Sequence, residues 1–231
     1  MTQSPAGRER YAWAAGVVFV VALLAESVVA VGIGLTHQDS AATITRGLDA
    51  HQQRMIAIAC ISIVYAVAFL VSLWKLHVLL RGDPARPNDL SILVLVGGVL
   101  FVTLHAVSDI GITGMLGARV ASYSAGHDQG LSFSLYYLTY ALDSVADVFG
   151  SLAFLAAGVS ILRTGDLPRR AGWVAIATAP FLLLQGFGLG GVVATFGLAL
   201  DLVGFMLLLV FITWTSIAGY RLTSSPLSRG Q

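Results

Sequence analysis

The sequence has few charged residues and a single cysteine. Only 11% of its 231 residues are charged and the formal net charge is +1 at pH 7, whereas about a quarter of the residues in an average soluble domain are charged. The low charge content argues against a soluble domain, and the near-neutral balance gives no sign of a nucleic-acid partner. Cys60 has no second cysteine with which to form a disulfide or a cysteine-based metal site.

Apolar residues dominate instead, at 57% of the chain with a mean hydropathy of +0.84. Six apolar stretches are long enough to cross about 30 Å of hydrocarbon; they lie near 12–35, 55–80, 91–116, 133–162, 172–189 and 192–218. The first is longer than the apolar core of a signal peptide, so we expect it to be retained. The sequence therefore predicts one transmembrane domain over 1–231, an all-α bundle of six helices whose longest polar connection covers 36–54.

The basic residues predict the orientation of this bundle, because cytoplasmic loops carry an excess of Arg and Lys. With the N-terminus inside, the cytoplasmic side receives Arg8, Arg10, Arg81, Arg86, Arg163, Arg169, Arg170, Arg221 and Arg229. The outer side receives only Arg46, Arg54 and Arg119. Both termini are therefore expected in the cytoplasm.

Acidic and titratable side chains inside the apolar stretches are the part of the sequence that indicates chemistry. They are Glu26, His105, Asp109, Asp143, Asp147 and Asp201. A charged residue at the centre of a membrane helix costs about 2.5–3.5 kcal/mol on insertion scales. Such groups must be protonated, surround a cation or line a wet cavity. We interpret these six as the candidate catalytic residues.

Spacing places several of these residues on shared helix faces. His105 and Asp109 are four residues apart, so a carboxylate could orient the imidazole, or the two could form a polar pair that only holds helices together. Asp143 and Asp147 repeat this spacing, and Tyr136 and Tyr140 continue the same stripe. A polar stripe on a membrane helix must face protein or water.

The candidate residues lie at similar predicted depths in the membrane. Counted along the helices, all six titratable residues and Gln185 fall between the midplane and the outer third of the bilayer, and Phe101 and Phe187 lie in the same layer. The sequence therefore predicts a deep pocket with an acidic wall and an aromatic lining. Its expected substrate-binding residues are Tyr136, Tyr140, Phe101, Gln185 and Phe187.

Several cofactor and metal sites are excluded by the same residues. A haem or a three-histidine zinc site needs more than His105, the one histidine deep in a predicted helix. The Asp143-x-x-x-Asp147 spacing resembles a magnesium–diphosphate motif, but no Arg or Lys lies near it to bind the diphosphate. Lys75 lies near an inner helix end, away from the place a retinal Schiff base would need. We therefore expect no metal and no cofactor.

The six-helix pattern, Ala25-Glu26 in the first helix and the cytoplasmic turn Arg163-Thr-Gly-Asp-Leu-Pro-Arg-Arg-Ala-Gly-Trp173 resemble a family of small bacterial integral membrane proteins of unknown function. The resemblance covers most of the chain. It implies a multi-pass protein of the bacterial cytoplasmic (inner) membrane and no particular mechanism.

A carboxylic acid in an apolar, aromatic pocket is a strong proton donor beside faces that stabilise a cation. This combination suits acid-initiated cyclisation or isomerisation, and the chain is similar to small membrane terpene cyclases in size, in an early Glu and in a late Asp. We therefore expect an intramembrane acid/base enzyme that acts on an apolar isoprenoid or lipid-like substrate, with membrane lipids and this small molecule as its partners. The alternatives are a proton- or cation-coupled transporter, for which a homo-oligomer would supply two halves, and a non-catalytic accessory subunit.

Overall fold

The computed structural model describes residues 5–31, 33, 39–82, 88–110, 120, 129–187 and 194–224, with the side chains of all of these except 5–11, 194–201 and 224. The ordered elements of these residues are helices. They are α1 (Pro5–Val31), α2 (Ala41–Ala50), α3 (Gln52–Arg81), α4 (Leu90–Ala106), α5 (Gly130–Thr164), α6 (Arg169–Gly186) and α7 (Ala194–Ser224). The predicted all-α class is confirmed for this part of the chain.

Five of the described helices are long and apolar enough to cross a membrane: α1 from Ala12, α3, α4 with its continuation to Ile110, α5, and α7 from Leu202. Helix α6 is not among them, because two arginines begin its 18 residues and Gln185 lies near its end. A multi-pass membrane protein is thus supported, whereas six spans and their orientation stay predictions.

The helix ends follow from the sequence. Gly82 and Gly165 end α3 and α5 with positive φ angles of 67° and 73°, which favour glycine; Gly165 has the left-handed conformation common at helix ends. Arg81 and Arg163 lie in the last turns of these helices, where a positive charge complements the helix dipole. The helices that follow them in the chain, α4 and α6, pack against α3 and α5 respectively.

Helix α4 changes its geometry where it ends. Its α-helical part stops at Ala106 and a π-helical turn continues over 107–110. The predicted third helix extended to 116, and residues 111–116 lie outside the described part. Single π-helical turns widen a helix locally and rotate the side chains that follow, and they occur often at functional sites.

Helix α2 lies within what the sequence indicated to be a polar connection. The Ser40 hydroxyl accepts a hydrogen bond from the Thr43 backbone N–H at 3.2 Å and caps it. Its buried face packs on α3 and α5 through Ile44, Thr45 and Leu48. The sequence indicated only a polar connection here. Ile44 and Leu48, one turn apart, and Thr45 beside them make the buried face of a short amphipathic helix within it.

The six long helices form a closed ring. In the order α1, α3, α4, α5, α6, α7, each packs against the next, and α7 packs against α1. Glycines permit close approach within this ring: a Cβ at Gly158 of α5 would lie 2.6 Å from the Gly172 carbonyl oxygen of α6, and one at Gly186 would lie 2.7 Å from the Ser144 carbonyl oxygen. Small residues at helix contacts are the usual means of tight packing in membranes.

A column of aromatic side chains occupies one half of the space inside the ring of helices. Phe19 and Phe69 have ring centroids 5.1 Å apart, Phe69 and Phe101 5.8 Å, Phe101 and Phe154 6.4 Å, and Phe154 and Phe211 5.2 Å. All five rings are buried. The other half of the ring, where α1, α4 and α6 end, holds the titratable residues.

Candidate functional site

A cavity of about 300 Å³ lies inside the ring next to the aromatic column. Five of the predicted catalytic residues line it: Glu26, His105, Asp109, Asp143 and Asp147. Phe101 and Gln185, predicted to bind substrate, also line it. The rest of the wall is Tyr65 and apolar side chains: Phe19, Leu23, Val102, Leu182, Phe205 and Leu208. The predicted convergence is confirmed for these residues, and the volume is in the lower range of small-molecule pockets.

His105 lies between two carboxyl groups of α5. Its Nδ1 is 3.0 Å from Asp143 Oδ1 and its Nε2 is 3.4 Å from Asp147 Oδ1. Each contact needs one hydrogen, so the three side chains share two. Either a protonated imidazole lies between two carboxylates, or a neutral imidazole lies between one carboxylate and one carboxylic acid. Both arrangements have a single net negative charge and leave neither ring nitrogen for a substrate.

Asp109 has different partners from those the sequence indicated. The four-residue spacing predicted a pair with His105; instead Asp109 Oδ2 accepts hydrogen bonds from the Tyr65 hydroxyl at 2.6 Å and the Ser62 hydroxyl at 3.5 Å. The cause is local, because Asp109 lies in the π-helical turn, which rotates it away from the direction of His105 and toward α3.

Tyr65 and Ser62 were missed by sequence reasoning. They are three residues apart on one face of α3, and both are buried. A polar pair at helical spacing within an apolar helix was the signal that could have found them.

Glu26 reaches the cavity from α1. Its Oε2 is buried, and no donor among the described residues reaches it. A buried carboxyl oxygen normally has a hydrogen-bonding partner. Glu26 is therefore the lining group best placed to bond with a molecule inside the cavity.

The aromatic wall is held by close packing. Phe101 meets the His105 ring edge-to-face at 4.7 Å, and Phe19 meets Tyr65 in the same way at 6.1 Å. Gly150 of α5 leaves space for Phe101, since a Cβ there would lie 2.6 Å from its ring. A larger residue at this position would move the ring on which His105 rests.

Three predicted substrate-binding residues lie elsewhere. Tyr136 packs with Met55 against α2, Tyr140 is 36% exposed and Phe187 is 68% exposed, and none of the three lines the cavity. The stripe on α5 faces the cavity only at Asp143 and Asp147, because α2 lies against its beginning. Asp201 is in α7, but its side chain lies outside the described part of the chain.

The lining of this cavity contains no Arg or Lys among the described side chains. Nor do His, Cys, Asp and Glu, within the described residues, form a group that could hold a metal ion. The geometry explains this, since Oδ1 of Asp143 and Oδ1 of Asp147 each contact a ring nitrogen of His105 rather than a common centre. The cavity thus combines acidic groups, one imidazole and apolar faces.

Comparison with known proteins gives no match to a family model, to a curated protein or to a solved structure. The resemblance to a bacterial membrane family stays a prediction, and the function must be argued from the site.

Proposed function

We propose that the protein is an intramembrane acid/base enzyme that isomerises or cyclises an apolar isoprenoid or lipid-like substrate. In this proposal the six long helices all span the bacterial cytoplasmic membrane, with both termini in the cytoplasm. The observation that carries it is one cavity that joins four carboxyl groups and an imidazole to aromatic and aliphatic walls. Such a lining can give and take protons while excluding water from an apolar molecule.

The Asp143–His105–Asp147 group is assigned the role of proton store. His105 uses both ring nitrogens on carboxyl groups, so it positions them and offsets their charge. The Asp143 side chain is 37% exposed and that of Asp147 only 16%. Asp143 is therefore the member that we assign to pass a proton from Asp109 back to Glu26 after each reaction, which restores the base and the acid, and Asp147 anchors the imidazole.

Glu26 and Asp109 are assigned complementary roles. Asp109 accepts two hydroxyl hydrogens, which suits a carboxylate acting as base. Glu26 has a buried oxygen without a described donor, which suits an acid that donates to the substrate. A proton from the acid adds to one carbon of a double bond, the neighbouring carbon becomes cationic, and loss of a proton to the base forms the new double bond. Phe19 and Phe101 line the place where this cation forms.

A proton-coupled transporter is the second candidate. It is favoured by the absence of Arg and Lys from the described lining, since carboxyl groups without fixed positive partners can take up and release protons or cations. The aromatic column argues for the enzyme, because a row of buried rings lies across the described part of the bundle next to the cavity, on the side toward its other end. A homo-oligomer would still be compatible with transport.

Deuterium incorporation tests the enzyme. Purified protein in lipid nanodiscs is incubated in D₂O with acyclic isoprenoid alcohols and alkenes, and the products are analysed by mass spectrometry. Acid-initiated chemistry places solvent deuterium on carbon. Asp143→Asn should reduce incorporation by a factor of about 10²–10⁴, the usual contribution of a general acid or base.

The matched control is Asp166→Asn, in the exposed turn after α5. It should behave as wild type, and all variants should keep their thermal unfolding temperature within a few degrees. Folded Asp143→Asn and Asp147→Asn proteins with full activity would refute the proposal. Proton movement into proteoliposomes without deuterium on carbon would favour the transporter.

A further inference from the structure

An apolar groove lies on the outside of the ring between α3 and α4. It has a volume of about 360 Å³ and is lined by Ala66, Leu70, Val102, Thr103, Ala106, Val107 and Ile110. Leu70 and Val107 are 38% and 47% exposed. Both helices are candidate membrane spans, so the medium that meets this groove is hydrocarbon.

The groove and the cavity share one wall. Val102 lines both, and its side chain is only 2% exposed. Ala66 on α3 and Ala106 on α4 line the groove, and their small side chains leave its space open on the outer side of Val102. Directly after Ala106 the π-helical turn puts Val107 in the groove and Asp109 in the cavity.

We infer that this groove binds the hydrocarbon chain of a bilayer-dissolved substrate and admits it sideways to the cavity past Val102. The inference rests on the proposed function for the identity of the occupant. The route itself follows from three observations: an apolar groove within the candidate membrane spans, a buried residue, Val102, that lines both the groove and the cavity, and carboxyl groups in that cavity. A π-helical turn at the edge of the route supplies a place where α4 can yield.

Carbodiimide labelling tests the route without any catalytic assay. Dicyclohexylcarbodiimide is apolar, dissolves in the bilayer and adds to a carboxylic acid to form an N-acylurea. A carbodiimide with a quaternary ammonium group stays in water. Both are applied to the full chain in nanodiscs, and labelling of Glu26, Asp109 and Asp143 is followed by mass spectrometry.

Filling the groove should slow the apolar reagent. Ala106→Trp and, from the other helix, Ala66→Trp should each reduce its labelling rate about tenfold or more, because roughly 1.4 kcal/mol of added barrier is tenfold in rate. Val102→Ala should raise the rate. Val96→Trp is the matched control, since Val96 is 50% exposed on α4 and does not line the groove.

The outcomes separate the route from other effects. Slower labelling by the apolar reagent alone, with Val96→Trp as wild type, supports the lateral route. Unchanged labelling in both groove variants overturns it, and so does an equal reduction with the quaternary reagent, because that points to a damaged cavity. A wild-type protein that is labelled as expected but incorporates no deuterium would count against the enzyme and leave the route intact.

Discussion

At the scale of residues, the site depends on one imidazole between two carboxyl groups. The bonds of His105 to Asp143 and Asp147 tie α4 to α5 and hold two acids close together in an apolar bundle. Without His105 the two carboxyl groups would face each other with nothing to offset their charge. Removing one member of a buried set of interacting charges generally lowers stability more than replacing all of its members with neutral residues.

His105→Leu tests this relation. It should lower the free energy of unfolding by about 1–3 kcal/mol, less than for a fully buried pair because Asp143 is partly exposed. The measurement is thermal or denaturant unfolding in a mild detergent. The triple variant with Asp143→Asn and Asp147→Asn should recover much of the loss. A single variant as stable as wild type would show that the imidazole does not hold the carboxyl groups.

Tyr65→Phe tests the other hydrogen-bonded carboxyl group. The change removes the hydroxyl that donates to Asp109 at 2.6 Å and leaves a buried acceptor with a weaker partner. It should cost about 1–3 kcal/mol of stability, and Ser62→Ala, whose bond is 3.5 Å long, should cost less. In an Asp109→Asn background the effect of Tyr65→Phe should shrink. An unchanged effect there would place the role of Tyr65 in packing alone.

These residues also show how far the sequence could predict the site. The cost of burying charge was enough to predict that Glu26, His105, Asp109, Asp143 and Asp147 share one cavity. It could not predict their pairing, because the partner of His105 depends on the rotation of α4 against α5 and that of Asp109 on a single π-helical turn. Tyr140 was placed by its spacing from Asp143 and Asp147 and Phe187 by depth alone, and neither signal is enough to give the direction in which the side chain faces.

At the scale of elements, α2 is the segment where sequence and structure differ most. The sequence indicated a polar connection here, yet Ile44 and Leu48 pack against Met55, with Ile33, Phe133 and Tyr136 around them. A buried hydrogen bond between the Thr45 and Ser132 hydroxyls adds a link to α5. The helix is stable through these tertiary contacts rather than through its own length, which is too short for an isolated helix.

Ile44→Ala should release α2 from α3 and α5. Ile44 is fully buried, and truncating a buried Ile to Ala costs about 2–5 kcal/mol. Because α2 lies at the edge of the fold, we expect the loss to be local: faster amide hydrogen exchange in 41–50 with little change in α5. Arg46→Ala, on the exposed face of the same helix, is the control. Uniform exchange changes across all helices would show that α2 is part of the global core.

At the scale of the whole molecule, the closed ring of six helices explains why one half of its interior can hold a cavity. Within the described part of the chain, each long helix packs mainly against two others, so these helices close without a central one. Bulky side chains must then fill the middle wherever polar groups do not. The aromatic column does so on one side of the cavity. The all-helical class and the apolar spans were predictable from composition, whereas ring order was not, because six similar apolar helices can pack in many orders.

The orientation of this ring in the membrane is the last prediction. Nine arginines lie on the side assigned to the cytoplasm and three on the other, so the positive-inside rule puts the α3–α4 and α5–α6 connections inside and α2 outside. The test uses single cysteines at the exposed positions Asp89, Asp166 and Ala50 in a Cys60→Ser background. In intact cells a membrane-impermeant maleimide should label Ala50→Cys, and should label the other two only after permeabilisation. Labelling of Asp89→Cys and Ala50→Cys from the same side would contradict a bundle in which α3 crosses the membrane, and the reverse pattern would contradict its orientation.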